Sequence, residues 1–301
     1  MSITRSAFGK ALWTGINKWW GDAYSQYPQE WSSLFDTSTS GKAFEEDVGT
    51  TGFGLAQVVS EGGNVPYDNA RQGFISRYNH VKYMLGFIIT SEMVEDDQYM
   101  IIGKKRANAL AFSMSQTKEI VGANVYNRAF SNSYVGGDGV ELCSTAHPNV
   151  TGGTWANELT TSADLSEIAL EQACIDISRF ENDRGLKIAV MPTTLVLPVD
   201  LQFEAERILR SPLQAGNSNN DINALRSMGK FSKVVINHYL TDSDAWFIRT
   251  NVQDGMKHFE RMGVKFTDDS DFDSDNLKYK ASERYSFGWT DPRGIFGSPG
   301  A

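Results

Sequence analysis

The sequence predicts a mixed α+β protein of elongated build. Three observations carry that expectation. Residues 47–89 read as a long extended hairpin around a turn at 62–68, residues 96–130 carry an uninterrupted helical pattern, and residues 146–252 alternate helices with short apolar strands. Turn chemistry and hydrophobic spacing justify each element in order.

Residues 1–41 form an aromatic-rich lead in which Trp13, Trp19, Trp20, Tyr24, Tyr27 and Trp31 fall close together. Leu12, Ile16 and the Trp19/Trp20 pair stand near helical spacing, which predicts a short helix. Three tryptophans within eight residues exceed what so short a segment buries by itself. They must dock either on the chain's own core or, as an arm, on a neighbouring subunit.

The hairpin at 47–89 has one limb at 56–59 (Ala-Gln-Val-Val), a turn at 62–68 rich in Gly, Asn and Pro, and an alternating return limb. On that limb Val81, Tyr83, Leu85, Phe87 and Ile89 share one face, and His80, Lys82 and Met84 the other. A long two-stranded arm is marginal in water, so it needs cover from its own core or from another subunit. The helical pattern then places Ile102, Leu110, Met114, Val121 and Val125 on one side, with Glu92, Glu95, Asp96 and Asp97 crowding its start. About 35 residues at the α-helical rise would span ~50 Å. Gly103 and Gly122 are the places where it would bend or break.

Residues 131–161 read as loops and short strands. Ser162 precedes a helix with Leu165, Ile168, Gln172, Ile175 and Arg179 on one face, and Leu165, Ile168 and Ile175 are its expected apolar contacts. Strands are expected at 186–190, 193–197, 233–236 and 245–250, a helix at 200–209 after Pro198, and a polar mobile loop at 215–221. Two further strands, 259–266 and 277–285, flank an acidic turn at 268–275.

Composition bounds the function. Of 301 residues, 41 % are hydrophobic and 22 % charged, which excludes wholesale disorder. Cys143 and Cys174 are too few for a disulfide framework. No apolar h-region opens the chain, and no apolar run approaches the ~20 residues of a membrane span. The net charge of −9 argues against a dedicated nucleic-acid binder.

Chemical motifs are sparse. Cys143 and His147 stand four apart, a conceivable nucleophile–base pair, but a loop cysteine and a turn histidine before proline is the better reading. The four histidines show no metal-ligand spacing. The acidic run fails as a calcium loop, because aligning Asp269, Asp271 and Asp273 to its first ligand positions puts Ser274 at the glycine and Lys280 at the bidentate glutamate. The Gly-rich pieces at 52–54 and 136–139 complete no phosphate-binding pattern. Arg284 and Arg293 flank Trp289 near the end of the chain, an arrangement suited to stacking and carboxylate pairing within or between subunits. No cofactor, metal or catalytic residue is expected.

With these parts in order, the chain resembles tailed-phage major capsid proteins of the Hong Kong 97-type fold. The resemblance is to the Mu-like major head subunit family in particular. It is carried by the Ser-Thr-Ala-His-Pro loop within 142–148, residues 194–198 before a helix, 234–246, and the closing block 283–294. It implies an N-terminal arm at 1–45, an extended loop at 46–93, a peripheral domain with a spine helix at 94–145, an axial α/β domain at 146–252, and strands at 253–301 that return to the periphery. The implied function is a head protein that assembles as pentamers and hexamers into an icosahedral shell around a double-stranded DNA genome, in the virion and built in the host cytoplasm.

The partners so implied are many copies of the chain itself, a portal, and DNA enclosed without sequence-specific binding, with no membrane. No long charged coiled-coil extension precedes the arm, which implies either a separate scaffolding protein or an extension that has been removed. Lys82 is the only lysine of the extended loop, and nothing supports covalent cross-linking. Candidate inter-subunit contacts are Trp13, Trp19, Trp20, Gly62, Gly63, Pro66, Tyr67, Arg284, Trp289 and Arg293. The alternatives are an encapsulin-like nanocompartment shell, a tail or baseplate protein, and a cytosolic α/β enzyme using Cys143 and His147.

Overall fold

The computed structural model describes residues 5–95, 99–214, 221–271 and 276–301, with side chains of 16–93 and from 101 onward within those spans. In chain order the elements are α1 (Arg5–Gln26), a 3-10 turn (Trp31–Ser33), β1 (Asp36–Thr39), β2 (Phe44–Thr50), β3 (Gln72–Asn79), β4 (Val81–Ile89), α2 (Ser91–Glu95) and α3 (Tyr99–Asn127). There follow β5 (His147–Pro148), β6 (Thr154–Trp155), α4 (Glu167–Ser178), β7 (Pro192–Pro198), α5 (Gln202–Arg210), α6 (Ala224–Met228) and β8 (Lys233–Asn237). The chain closes with β9 (Trp246–Thr250), β10 (Met256–Ser270), β11 (Leu277–Trp289) and β12 (Ile295–Ser298).

Two four-stranded sheets organise these elements. One, of order β1-β10-β11-β4, takes the name peripheral from the domain expected there, and the other, of order β12-β9-β7-β8, the name axial. β1 runs parallel to β10, and the long β10–β11 and β11–β4 pairs are antiparallel. In the axial sheet β7 and β8 are parallel, joined through α5 and α6, while β9 is antiparallel to β7 and β12. Among the described residues no helix is long and apolar enough to cross a membrane.

Helix α3 lies along the peripheral sheet. Its Ala107, Leu110, Ala111 and Met114 pack with Ile89, Phe266, Tyr279 and Ala281 of the strands and with Ile16, Trp20 and Ala23 of α1. The helix runs unbroken through both of its glycines. A Cβ at Gly103 would sit 3.4 Å from Ile89 and 3.6 Å from Ile16, so the missing side chain lets α1 and β4 come close. Residues 128–130 have already turned out of the helix, and Asp96 and Asp97 of the expected acidic start lie outside the described residues.

A second core joins the far end of α3 to the axial sheet through Tyr126, Leu142, Val196, Phe247 and Ile295. The third core is axial and lies between that sheet and α4, α5 and α6. β7, β9 and β12 are therefore covered on both faces, which explains their near-continuous apolar sequence, whereas the edge strand β8 buries Val235 and leaves Val234 exposed.

Several expectations need correction. The hairpin limb at 56–59 is not a strand; β2 pairs with β3, from Phe44↔Asn79 to Thr50↔Gln72, and residues 51–71 form the long connection. Val-Val within a run dense in glycine has no facing strand to pair with. The return limb divides at His80, whose ring bonds Ser40 and Ser286. Beyond it β4 leaves the hairpin and joins β11. Residues 186–190 form no strand beyond an isolated Glu181↔Lys187 bridge, and Ala189 has φ 49°.

The N-terminal helix is long, 22 residues, where a short one was expected. Helix α4 is capped by Ser166, whose hydroxyl accepts from the Ala169 N–H at 3.2 Å, so Ser162 lies outside it. The buried face of α4 is Ala169, Leu170, Ala173, Cys174 and Ile177. Leu165 is buried as expected, but Ile168 is 73 % and Ile175 45 % exposed. The final residues, expected at the periphery, end in the axial sheet through β12. The expected loop at 215–221 lies outside the described residues except for Asp221.

Candidate assembly surfaces

Three surfaces stand out: the 51–71 connection, the open face of the peripheral sheet, and the side covered by α1. The connection rises from β2–β3 and is closed at its base by Thr51, whose N–H donates to the Arg71 carbonyl and whose hydroxyl accepts the Arg71 N–H. Phe53 is 65 %, Leu55 80 %, Val58 103 % and Tyr67 95 % exposed, so these side chains find no cover in their own chain. The expected tip residues Gly62, Gly63, Pro66 and Tyr67 all lie on this exposed run. Gly62 has φ +79°, a conformation that favours glycine.

Asp68 anchors the return of the connection. It accepts the Gly54 N–H at 2.8 Å and pairs with Arg184 at 3.1 Å, and these contacts, the Gly54 bond foremost, hold its carboxyl below the usual range. At the base, Lys257 Nζ lies 2.6 Å from both Asp47 and Asp254, and Thr290 donates to Asp47.

The open face of the peripheral sheet follows from register. Tyr279, Ala281, Glu283 and Tyr285 of β11 point to α3, so Lys278, Lys280 and Arg284 point away, with the buried Ser282 between them. Cross-strand partners share a face, which adds Lys82, Met84 and Ile88 from β4 and Lys265 from β10. Lys82, Lys265, Lys278 and Lys280 are exposed, Met84 and Ile88 are about half exposed, and the face opposes them with Asp269 and with Asp271, 2.9 Å from Lys278. In a chain of net charge −9 this is a concentrated basic surface with an apolar strip. Arg284, half-buried, spends its guanidinium on the carbonyls of His80 and Ala43.

The covered side holds buried charge. Lys118 of α3 sits 3.5 Å from Glu260 and 3.6 Å from Glu283, and Tyr24 of α1 donates to Glu283 at 3.1 Å. Burial raises the Glu283 carboxyl above its ordinary range, and Lys118 opposes that. Glu119 accepts the Glu30 and Trp31 N–H groups at 3.0 and 2.9 Å, pinning the 3-10 turn to α3. Burial still pushes it up to about 7. His258 is fully buried between Trp31 and Phe287, and neither ring nitrogen has a partner. Burial first, then the Lys118 charge, depress it to about 3.

The expected contact residues therefore divide. Trp20 is 5 % exposed and stacks between Tyr24 and Phe266, so it packs on its own chain; Trp19 is half-buried beside it. The Trp13 side chain lies outside the described residues. Trp289 packs into the core between the two sheets. Arg293, 8 % exposed, bonds the Glu181 carbonyl, Asp291, Asp183 and Asn149 and lies over Trp155, which ties the chain end to the axial side.

Cys143 and His147 make no nucleophile–base pair. Cys143 is buried and its thiol is pushed up by burial. The His147 ring is held by Asp138 at 2.7 Å and Asn157 at 3.0 Å, and Asn157 also donates to the Leu142, Pro292 and Ile295 carbonyls. That clasp of two loops onto the chain end was missed in the sequence. Asp138 and Asn157 lie nine and ten residues from His147, in loops without periodicity. Among the described residues no group of three or more His, Cys, Asp or Glu could hold a metal ion.

Comparisons with known proteins agree with this architecture. A family model described as phage capsid protein matches residues 75–297. Among solved structures, the virus-like particle from Pyrococcus furiosus aligns with TM-score 0.51 at 11 % identity, covering 95 % of this chain and 98 % of that one. The procapsid of bacteriophage JBD30 aligns with TM-score 0.53 at 15 % identity, over 97 % and 75 %. The capsid of a native GTA particle gives 0.55 at 10 % identity, over 90 % of each chain. At these identities the likeness is one of fold. No curated protein sequence matches. The family match spans well over half of the chain, and the chain belongs to the phage capsid protein family, as a shell-forming major capsid protein with the Hong Kong 97-type fold.

Proposed function

We propose that copies of this chain form pentamers and hexamers that close into an icosahedral shell around double-stranded DNA. Assembly takes place in the host cytoplasm with a separate scaffolding protein and a portal as partners. Within the phage capsid family we place it nearest the Mu-like head subunits, on the loop and closing motifs of its sequence. The observation that carries the reading is the 51–71 connection, whose large apolar side chains are left bare by the chain itself. An uncovered run of this kind marks a contact with another molecule.

The face that receives it is the open side of a neighbour's peripheral sheet. Glu45, Glu46, Asp47 and Asp68 are paired within the chain with Lys42, Arg77, Lys257 and Arg184, which leaves Glu61 at the tip to meet the exposed Lys82, Lys265 and Lys280 of the sheet face beside Met84 and Ile88, Lys278 being paired with Asp271. Opposite charge steers the encounter and fixes register, and apolar burial holds it. Each copy gives its connection to one neighbour and receives another's, a head-to-tail contact that closes into rings. Individual contacts stay modest because many act at once.

Deletion of residues 62–68 tests this directly. We expect soluble, folded subunits that form no closed shells by electron microscopy, and Lys278→Glu with Lys280→Glu should give the same defect. Normal shells from either variant would refute the role of the connection. Nucleic acid within purified particles separates the DNA shell from a protein-filled nanocompartment.

A further inference from the structure

Helix α4 turns its buried face to the axial sheet and leaves Ile175 on the outside. Ile175 lines an open groove of roughly 380 Å³ whose opposite wall is α6. Leu225, 3 % exposed, lies deep in the groove, and Met228, 64 % exposed, stands at its lip. Its charged lining is Arg179 and Lys230 against Glu171. Helix α5 contributes nothing to this groove, yet it carries a bare aromatic in the same helical layer, Phe203, 67 % exposed. Around Phe203 stand Asp200, three residues before it, and Glu204 beside it, against Arg207, whose guanidinium donates to the Phe203 carbonyl at 3.2 Å.

We propose that the α4–α6 groove receives Phe203 of the next copy of this chain around a ring. The proposal rests on the shell reading above and adds to it a contact between axial domains. A closed ring of identical subunits needs two different surfaces that complement each other head to tail. The axial layer supplies both, a convex aromatic and a concave apolar groove, on separate helices. Their charges agree in sign, because Asp200 and Glu204 with Arg207 leave a net negative charge against a rim with two cations and one carboxylate. An aromatic seated in a desolvated pocket is the usual anchor of such an interface.

Two experiments on the full chain test the contact. In the first, Phe203→Cys and Met228→Cys are combined and assembled particles are oxidised. We expect a cross-linked ladder that ends at the ring size and that neither single variant gives; Cys174 lines the groove and is removed as Cys174→Ala in all three chains, and Cys143 is buried. In the second, Phe203→Asp should lower the yield of rings and shells by about tenfold or more, the scale of one lost anchor. Monomer thermal unfolding should not change, and Met228→Lys in the same chain should restore part of the yield. Shells that form at the normal yield with Phe203→Asp, or a double-cysteine variant that assembles without a ladder, would overturn the contact and leave the shell reading standing. An unaltered chain that never assembles would sink both.

Discussion

The N-terminal helix and the 51–71 connection look alike in sequence, since both carry large apolar residues with no core of their own, yet the fold treats them oppositely. Ile16, Trp20 and Ala23 of α1 recur at helical spacing, so one stripe meets α3 and the sheet and is covered. The connection spreads Phe53, Leu55, Val58, Val65 and Tyr67 among glycines with no period, and no single face of its own chain takes them up. Periodic apolar residues are satisfied within the subunit, whereas aperiodic ones on a glycine-rich tether are left for a neighbour.

The sharpest way to break that contrast is a matched pair of truncations. Trp20→Ala removes a buried ring stacked at 5.2 Å on both Tyr24 and Phe266. It should cost about 3–5 kcal/mol of stability in urea unfolding of the subunit. Tyr67→Ala, at a residue 95 % exposed, should leave subunit stability within about 0.5 kcal/mol and reduce shell yield instead. Equal stability losses in the two variants would erase the distinction.

A second effect comes from what α1 and the turn after it cover. His258 is neutral in the fold, with its affinity for protons lowered to about 3. As pH falls from 6.5 toward 3 the unfolded chain takes up a proton that the folded chain refuses, so stability present above pH 6.5 is lost on acidification. By pH 4 the loss from this group is on the order of 3 kcal/mol. His258→Phe keeps an aromatic between Trp31 and Phe287 and removes two unpartnered buried nitrogens. Its unfolding free energy should therefore exceed that of the unaltered chain by a margin that grows between pH 6.5 and 4. A margin that does not change with pH would remove His258 from the account.

These comparisons also mark how far the sequence could be read. The proline-free pattern at 96–130 yields α3 over Tyr99–Asn127, and Pro198 correctly opens a short helix, because helical period and proline geometry act locally. The exposed tip around Gly62 was legible from turn chemistry for the same reason. The inverted face of α4 was not. Ile168 and Ile175 fit the helical period as well as Leu170 and Ile177 do, and only the position of the axial sheet decides between them. The buried charges around Lys118 were equally hidden, since Glu260 and Glu283 reach it from strands more than a hundred residues away.

The smallest predicted effect concerns the hinge between the two compared regions, where α1 ends and the chain turns toward β1. Glu119 accepts two backbone N–H groups there, yet burial lifts it to about 7. Its folded affinity for protons exceeds that of a free carboxyl, so the stability it contributes is complete below about pH 4.5 and declines as pH rises through 7, opposite in sign to His258. Glu119→Gln keeps one acceptor oxygen but sets an amide against the second donor, so the variant should be less stable than the unaltered chain at pH 5. Because only the glutamate ionises, that deficit should shrink as pH rises to 8, by less than the His258 margin, in urea titrations at matched ionic strength. A deficit that widens with pH would mean that the ionised carboxylate is the favoured partner of the Trp31 turn, and that the turn is held to α3 by charge rather than carried there by the packing of Trp31.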